Sequence, residues 1–330
     1  MDPLSQAAVG AAWAQPAARR PAIGSATVVG AISGMAPDLD IFIRSSEDPL
    51  VALEFHRQFT HALAFIPFGA FICATLFFGL LRKRLTFAQC YLFAFLGYGT
   101  HGLLDACTTY GTQLFWPFAE TRVAWNNVSV VDPLFTLPLI GLVLAGVWRR
   151  RTAFAAAGVC WALFYLGFGV VQNMRASTEG ALLASQRGHR PVRLEAKPAF
   201  ANLLVWKLIY EYQDRYYVDA VRVGLSTRVF EGVSVEKLDR RRHLPWLDPD
   251  SQQAADLERF RWFSDDFLAP DPERPGYVID MRYSLVPNRA DGLWAIALRP
   301  EADRSDHVDY VSMRNRTVSE GGILFDMIMP

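Results

Sequence analysis

Four long apolar runs occupy most of the first half of the sequence, and they restrict the folds that the chain can adopt. Residues 60–81 carry no charge beyond His61 near their start, and residues 87–106, 130–148 and 152–171 have a similar character. A helix needs roughly 20 residues to cross a bilayer. Because lipid cannot satisfy backbone N–H and C=O groups, a run of this kind must be helical inside a membrane. The sequence therefore predicts four transmembrane helices.

Two earlier segments predict shorter helices in the same bundle. Residues 22–36 are rich in Gly, Ala and Ser, which let membrane helices approach one another closely. Residues 4–18 are short and Ala-rich, and an amphipathic helix on the membrane surface is the alternative for them. With these segments, the predicted fold is a polytopic α-helical membrane bundle of about five to six spans, formed by a first domain of residues 1–171.

Clusters of basic residues predict the orientation of the bundle. Arg82-Lys83-Arg84 and Arg149-Arg150-Arg151 lie between apolar runs, and short loops rich in Lys and Arg remain in the cytoplasm. The opposite ends of the helices then face outward, and the chain leaves the membrane on that side after Val171. If the protein is bacterial, we expect a multi-pass protein of the inner membrane with a periplasmic C-terminal domain.

Residues 172–330 contain no further apolar run of this length and predict a soluble α+β domain. Residues 251–263 have helical character, with Ser251 as the N-cap. The formal net charge of the chain is 0, so no overall field attracts nucleic acid and we expect no such partner. Alternating, β-branched and aromatic residues predict strands at 203–212, 216–223, 277–283, 293–298 and 307–313.

The carboxylate and imidazole clusters of the apolar half gather at the same end of the predicted helices, opposite the basic clusters. Charged groups near lipid are costly and are usually functional. Imidazole nitrogen and carboxylate oxygen are standard ligands of zinc and related ions. The sequence therefore predicts a site for one or two divalent ions, with zinc as the expected metal, on the outer face of the bundle. The predicted ligands are Asp38, Asp40, His56, His61, His101 and Asp105.

The spacing of these residues predicts how they meet. His101 and Asp105 are separated by four residues, so they share one face of a helix. His56 and His61 have a poor spacing for one face. If Thr60 is the N-cap of the following span, His61 lies in its first turn and His56 curls back from the preceding loop.

Asp38 and Asp40 follow Pro37, where an extended backbone alternates the two side chains. One of them could then bind the ion while the other orients a histidine or bridges two ions. Taken singly, Pro-Asp-Leu-Asp is equally a turn with solvated carboxylates, and a His beside an Asp is equally a satisfied core pair. The metal site is predicted because all the pairs lie on one membrane face.

Several motifs resemble the YdjM-like membrane-bound metal-dependent hydrolases. They are Pro37-Asp38-Leu39-Asp40, the run His56-Arg57-Gln58-Phe59-Thr60-His61, His101-Gly102-Leu103-Leu104-Asp105, residues 107–117 and the opening residues 1–6. The resemblance covers roughly residues 2–171 and implies an inner-membrane hydrolase; the arrangement is also distantly similar to the helical zinc phospholipase C class. Many relatives have His near position 6, where this chain has Gln6. An ion bound there in relatives would be missing here, or Asp2 or water would substitute.

The predicted activity is hydrolysis of a phosphoester, or of an ester or amide, in a membrane lipid or lipid-linked substrate. Asp38 or Asp40 would accept the proton from the attacking water. Arg57 would bind phosphate-like charge, with an interfacial anchor as its alternative role. A transporter or metal-permeation protein is a second interpretation, which the apolar cytoplasmic halves of the spans disfavour. A non-catalytic scaffold with a structural metal is the third.

Overall fold

The computed structural model of the protein describes residues 1–313 and 318–329; residues 314–317 and 330, which belong to the predicted second domain, lie outside the described residues. The first half of the chain is helical, and the second half adds two antiparallel sheets. The helices are α1 (Pro3–Ala14), α2 (Ile23–Met35), α3 (Val51–Phe55), α4 (Ile66–Leu81), α5 (Phe87–Ala106), α6 (Pro133–Arg149), α7 (Thr152–Gln186), α8 (Arg240–His243), α9 (Gln252–Phe263) and α10 (Val318–Ile328).

Three helical stretches among the described residues are long and apolar enough to cross a membrane. They are Arg20–Phe42, Leu63–Leu81 and Thr152–Gln186, while Pro133–Arg149 is apolar but shorter. The predicted count of five to six spans is therefore not confirmed. Helix α5 has the predicted bounds, but polar residues such as Gln89, His101 and Asp105 lower its mean hydropathy.

Glycines allow α1, α2 and α5 to pack closely. A Cβ atom at Gly10 or at Gly97 would overlap the carbonyl oxygen of Gly30 on α2. Only residues without a side chain permit this approach, as the Gly-rich sequence of α2 predicts. Most residues of α1 are buried. Helix α1 is therefore an internal element of the bundle, and the alternative of a surface helix is wrong.

The second half contains two four-stranded sheets, in the orders β1-β2-β3-β4 and β5-β6-β7-β8, with antiparallel neighbours throughout. All five predicted strands are confirmed with shifted ends, whereas β1, β4 and β5 were not predicted. The predicted helix is α9, and Ser251 is its N-cap, with its side chain accepting from Ala254 N–H. The strands are β1 (Arg193–Pro198), β2 (Val205–Tyr212), β3 (Arg215–Val223), β4 (Thr227–Glu236), β5 (Leu268–Pro270), β6 (Tyr277–Asp280), β7 (Trp294–Ala297) and β8 (Asp309–Ser312).

The chain forms two compact units. The first contains Met1–Phe42, Phe55–Val171 and Phe200–Asn202; the second contains Ile43–Glu54, Gln172–Ala199 and the chain from Leu203 onward. The short segment Ile43–Glu54 thus interrupts the helical unit in sequence but packs with the second unit. It lies between two of the predicted site motifs, because Asp40 precedes it and His56 follows it.

Candidate metal site

Four side chains from three segments of the helical unit converge on one centre. Nε2 of His61 lies 2.9 Å from Nε2 of His101, 3.4 Å from Oδ1 of Asp38 and 3.2 Å from Oδ2 of Asp105. Nε2 of His101 lies 3.4 and 3.5 Å from the same two carboxylate oxygens. In a tetrahedral zinc site with bonds of roughly 2.0–2.2 Å, the ligand atoms are roughly 3.3–3.6 Å apart. The four atoms therefore have a spacing close to that of a tetrahedral ion's ligands.

Local structure brings each of these residues to the centre. Asp38 lies in the 3-10 turn Ala36–Phe42, which directly continues α2, and His61 lies in the 3-10 turn Phe59–His61. His101 and Asp105 are one turn apart near the end of α5, as predicted. The predicted N-cap role of Thr60 is wrong, because α4 begins only at Ile66 after a second 3-10 turn.

Hydrogen bonds fix the two central imidazoles with Nε2 pointing inward. Nδ1–H of His101 donates to the carbonyl oxygen of Gly34 at 2.5 Å. Nδ1 of His61 lies 3.2 Å from Oδ2 of Asp40. When Nδ1 carries the proton, the lone pair of Nε2 is directed to the centre, and this is the tautomer that binds a metal. The ring orientations therefore suit metal binding.

The carboxylate of Asp105 also suits an ion. Its side chain is fully buried, and Oδ2 lies 3.0 Å from Nε of Arg57 and 3.2 Å from Nε2 of His61. The other oxygen, Oδ1, accepts a hydrogen bond from Nε2 of Gln6 at 2.9 Å and pairs with the amino group of Met1. A cation bound at the centre would share Oδ2 with Arg57. Gln6 supports a ligand in this chain and is not part of the central set.

Asp40 lies behind the central set and holds several of its neighbours. Oδ1 is 2.7 Å from Nδ1 of His56, and Oδ2 accepts from the backbone N–H of Arg57 at 3.0 Å and from Oγ1 of Thr60 at 2.9 Å. With the His61 contact, both carboxylate oxygens are engaged. Asp38, Asp40 and His56 nevertheless lie close enough together to form a second group that could hold an ion.

Arg57 is directed toward Asp105. Its Nε lies 3.0 Å from Oδ2 of Asp105, and Nη1 donates to Oγ1 of Thr108 at 3.0 Å. The guanidinium lies over the ring of Tyr110, 4.7 Å from its centroid. The backbone of Arg57 has a φ of 65°, which is uncommon for a residue other than glycine. These contacts make Arg57 a fixed positive charge beside the site.

Only two of the site's carboxylate and imidazole side chains are partly accessible. The side chains of Asp38 and His56 are 23% and 22% exposed. The side chains of Asp40, His61, His101 and Asp105 are fully buried. A small molecule would therefore approach the centre past Asp38 and His56.

Two glycines of the site were not recognised from the sequence. A Cβ atom at Gly102 would overlap the carbonyl oxygen of His61, so this glycine lets the His61 turn rest on α5. Gly34 supplies the carbonyl group that orients His101. A glycine one residue after His101 and another four residues before Asp38 were the available signals. Asp132, in contrast, lies outside the cluster and is the N-cap of α6.

The fold and the cluster together define a helical membrane protein with a buried histidine–carboxylate site. A sequence profile of the YdjM inner membrane protein family matches residues 1–176, more than half of the chain, and the protein belongs to this family. The inner membrane protein YbcI of Escherichia coli (strain K12) is 28% identical over 145 residues, covering 37% of this chain and 83% of YbcI. No solved structure matches. The family and the apolar helices support a location in the inner membrane.

Proposed function

We propose that the protein is a membrane-embedded, metal-dependent hydrolase. Its divalent ion, most suitably zinc, would be held by Asp38, His61, His101 and Asp105. The observation that carries this proposal is the arrangement of their four ligand atoms, 2.9–3.5 Å apart in the contacts described. When bound, such an ion lowers the pKa of water from about 15.7 toward about 7 and stabilises developing negative charge. Asp40 and His56 belong to the second group of possible ligands, but they are already paired with each other, so the proposal uses one ion.

The accessible histidine is the best candidate for proton transfer. Nδ1 of His56 is held by Asp40 at 2.7 Å, so Nε2 is the ring atom that would take or give the proton. A histidine oriented by a buried carboxylate is a common general acid or base. In this proposal Asp40 orients His56 and His61, and Asp38 binds the ion, so the proton passes to His56 instead of to either aspartate.

The proposed substrate is a phosphoester of a lipid or lipid-linked compound, cleaved at the periplasmic face. Arg57 contributes a fixed positive charge, which favours an anionic headgroup over a neutral ester or amide. The apolar helices beside the site favour a substrate with a lipid tail. The four ligand residues lie in one cluster and do not form a series along the helices, which argues against the transporter alternative.

A structural-metal scaffold is the second candidate function. Zinc sites with four protein ligands are typically structural, whereas catalytic sites keep a position open for water. Three of the four central side chains are fully buried, which is the specific observation in favour of this alternative. Turnover separates it from the hydrolase.

The test compares metal content and hydrolysis in His101→Ala and Asp105→Asn variants with the unaltered protein. Asp132→Asn is the matched control, because Asp132 is also a buried carboxylate but caps α6 and bonds to Tyr165. We expect about one zinc per chain in the unaltered protein and the control, and loss of both metal and lipid phosphoesterase activity in the site variants.

Two results would contradict the proposal. Full metal content in the His101→Ala/Asp105→Asn double variant would mean that the metal binds elsewhere. The cluster would then be an ion-pair network centred on His61, without a metal. A metal-loaded protein without turnover on phosphoester, ester and amide lipids would instead identify the structural scaffold.

A further inference from the structure

The segment Ile43–Glu54 joins two halves of the site. Asp40 lies three residues before it and His56 two residues after it. The ends are tied to each other, because Asp40 contacts Nδ1 of His56 and accepts from the N–H of Arg57. The segment between them packs with the second compact unit. Residues far away in sequence therefore contact this connection.

Arg259 on α9 contacts two carboxylates of the segment. Its Nη1 and Nη2 donate to both carboxylate oxygens of Asp48, at 3.1 and 2.8 Å. Its Nε donates to Oε1 of Glu54 at 2.5 Å. Bidentate, charge-assisted contacts of this kind are among the stronger hydrogen bonds in proteins, and they also fix geometry. One guanidinium thus fixes the middle and the end of the segment.

The contacts of Arg259 with Asp48 and Glu54 form a clamp on the segment, and Arg259 is itself held in place by Asp256. Nη1 of Arg259 also donates to Oδ1 of Asp256 at 2.8 Å, and Asp256 is fully buried. The other oxygen of Asp256 contacts Nδ1 of His307 at 2.8 Å and accepts from Val308 N–H at 3.1 Å. Arg259 is therefore held on a carboxylate that has its own fixed partners.

The segment has a defined conformation of its own. Oδ1 of Asp48 accepts from Leu50 N–H at 2.9 Å, and the side chains of Leu50 and Leu53 are buried. Burial alone would raise the pKa of Asp48, but hydrogen bonds from Arg259 and Leu50 lower its pKa overall. Asp48 therefore remains ionised at neutral pH and keeps its pairing with Arg259.

We propose that Arg259 is a positioning residue for the metal site. By fixing Asp48 and Glu54, it fixes the connection whose ends carry Asp40 and His56, and Asp40 orients the ligand His61. This inference rests on the proposed metal site for its functional consequence. Its structural part is the hydrogen bond from the Arg57 amide to Asp40, which closes the connection. The protection of this amide can be measured without a metal.

The experiment compares Arg259→Gln, Arg259→Lys and Glu54→Gln in the full-length protein. Glu54→Gln removes charge from one contact and leaves the pairs of Arg259 with Asp48 and Asp256. This milder variant keeps the test usable if Arg259→Gln does not fold. Arg261→Gln is the matched control: it lies on the same helix, and its ion pairs are with Glu258 and Asp266, outside the segment. Hydrogen–deuterium exchange and the affinity and visible spectrum of bound Co²⁺ are measured.

We expect Arg259→Gln to speed exchange in residues 43–54 and at the Arg57 amide, and to weaken Co²⁺ binding about tenfold. Loss of an outer partner of a metal ligand typically costs roughly 10–100-fold in affinity, and Arg259 acts one step farther out. Arg259→Lys and Glu54→Gln should give smaller changes in the same direction, and Arg261→Gln none.

Faster exchange in residues 43–54, with the Arg57 amide and Co²⁺ binding unchanged, would overturn the inference and make the clamp purely local. If the unaltered protein binds no Co²⁺, the proposed function fails, and exchange at the Arg57 amide alone decides the positioning role.

Discussion

At the scale of residues, the carboxylate of Asp40 has a different environment from the one that its sequence position suggests. The sequence predicts it as a ligand, a proton acceptor or a residue that orients a histidine beside Asp38. In the structure its side chain is fully buried, and both oxygens contact neighbours, including His56 and His61. A carboxylate behind a ligating histidine fixes the ring and its tautomer. Of the roles that the sequence allowed for Asp40, its contacts favour the one that orients a histidine.

Asp40→Asn should accordingly weaken zinc binding while leaving the fold intact. The amide keeps the shape but loses the charge that favours Nδ1–H of His61, and the expected loss is about 10- to 100-fold in affinity. Competition with a chromophoric chelator measures this change, with Asp132→Asn as the control. Unchanged affinity in Asp40→Asn would show that the contacts of His61 with Thr60 and the backbone are sufficient.

At the scale of elements, the site depends on how closely the His61 turn approaches α5. Gly102 makes this approach possible, because a side chain there would overlap the His61 carbonyl group. Gly99 lies on the same helix, but a Cβ atom there would meet its nearest neighbour, Ile66 Cγ2, at an ordinary 3.6 Å. The two glycines of one helix therefore have different consequences for the site.

Gly102→Ala should destabilise the protein and lower its metal content, because the turn carrying His61 must move away from α5. Inserting an atom into a closely packed contact typically costs about 1–3 kcal/mol. Gly99→Ala should be neutral or slightly stabilising, since Ala is favoured over Gly in a helix by about 1 kcal/mol. Thermal unfolding in detergent and metal analysis test both variants. Equal behaviour of the two would refute the role assigned to Gly102.

At the scale of the whole molecule, the helical unit carries the candidate metal site and the second unit carries the two sheets. Three described helices have the length and composition of membrane spans, and α7 continues to Gln186, beyond the predicted end of its span at residue 171. The side of the membrane that the second unit occupies is predicted by the basic clusters Arg82-Lys83-Arg84 and Arg149-Arg150-Arg151.

A reporter fused to the C-terminus tests this orientation. Alkaline phosphatase at that position should be active and a fluorescent protein dark, because we expect the C-terminus to be periplasmic. The same reporters inserted after Arg84 should give the reverse result. A fluorescent C-terminal fusion without phosphatase activity would reverse the orientation and move the metal site to the cytoplasmic side.

The sequence by itself determined the helices and the identity of the clustered residues. Long apolar runs leave the backbone no alternative to helix inside lipid, and the spacing of His101 and Asp105 sets both on one helical face. Strands β2 and β3 were equally visible from their alternating residues. Strands β1, β4 and β5 were not predicted, although each pairs with a neighbour in the chain. Strand β4 is mostly exposed and β5 has only three residues, so neither shows a clear alternation of buried and exposed positions.

Only the tertiary structure decided which atoms line the centre. Asp40 accepts a hydrogen bond from the backbone of Arg57 and lies behind the central four residues. Arg57 and Gln6, from different segments, both contact the carboxylate of Asp105. The clamp of Arg259 on Ile43–Glu54 joins positions about 200 residues apart and leaves no periodic signal. Periodicity reports which face of an element is buried, but it does not report which polar atoms of different elements meet there.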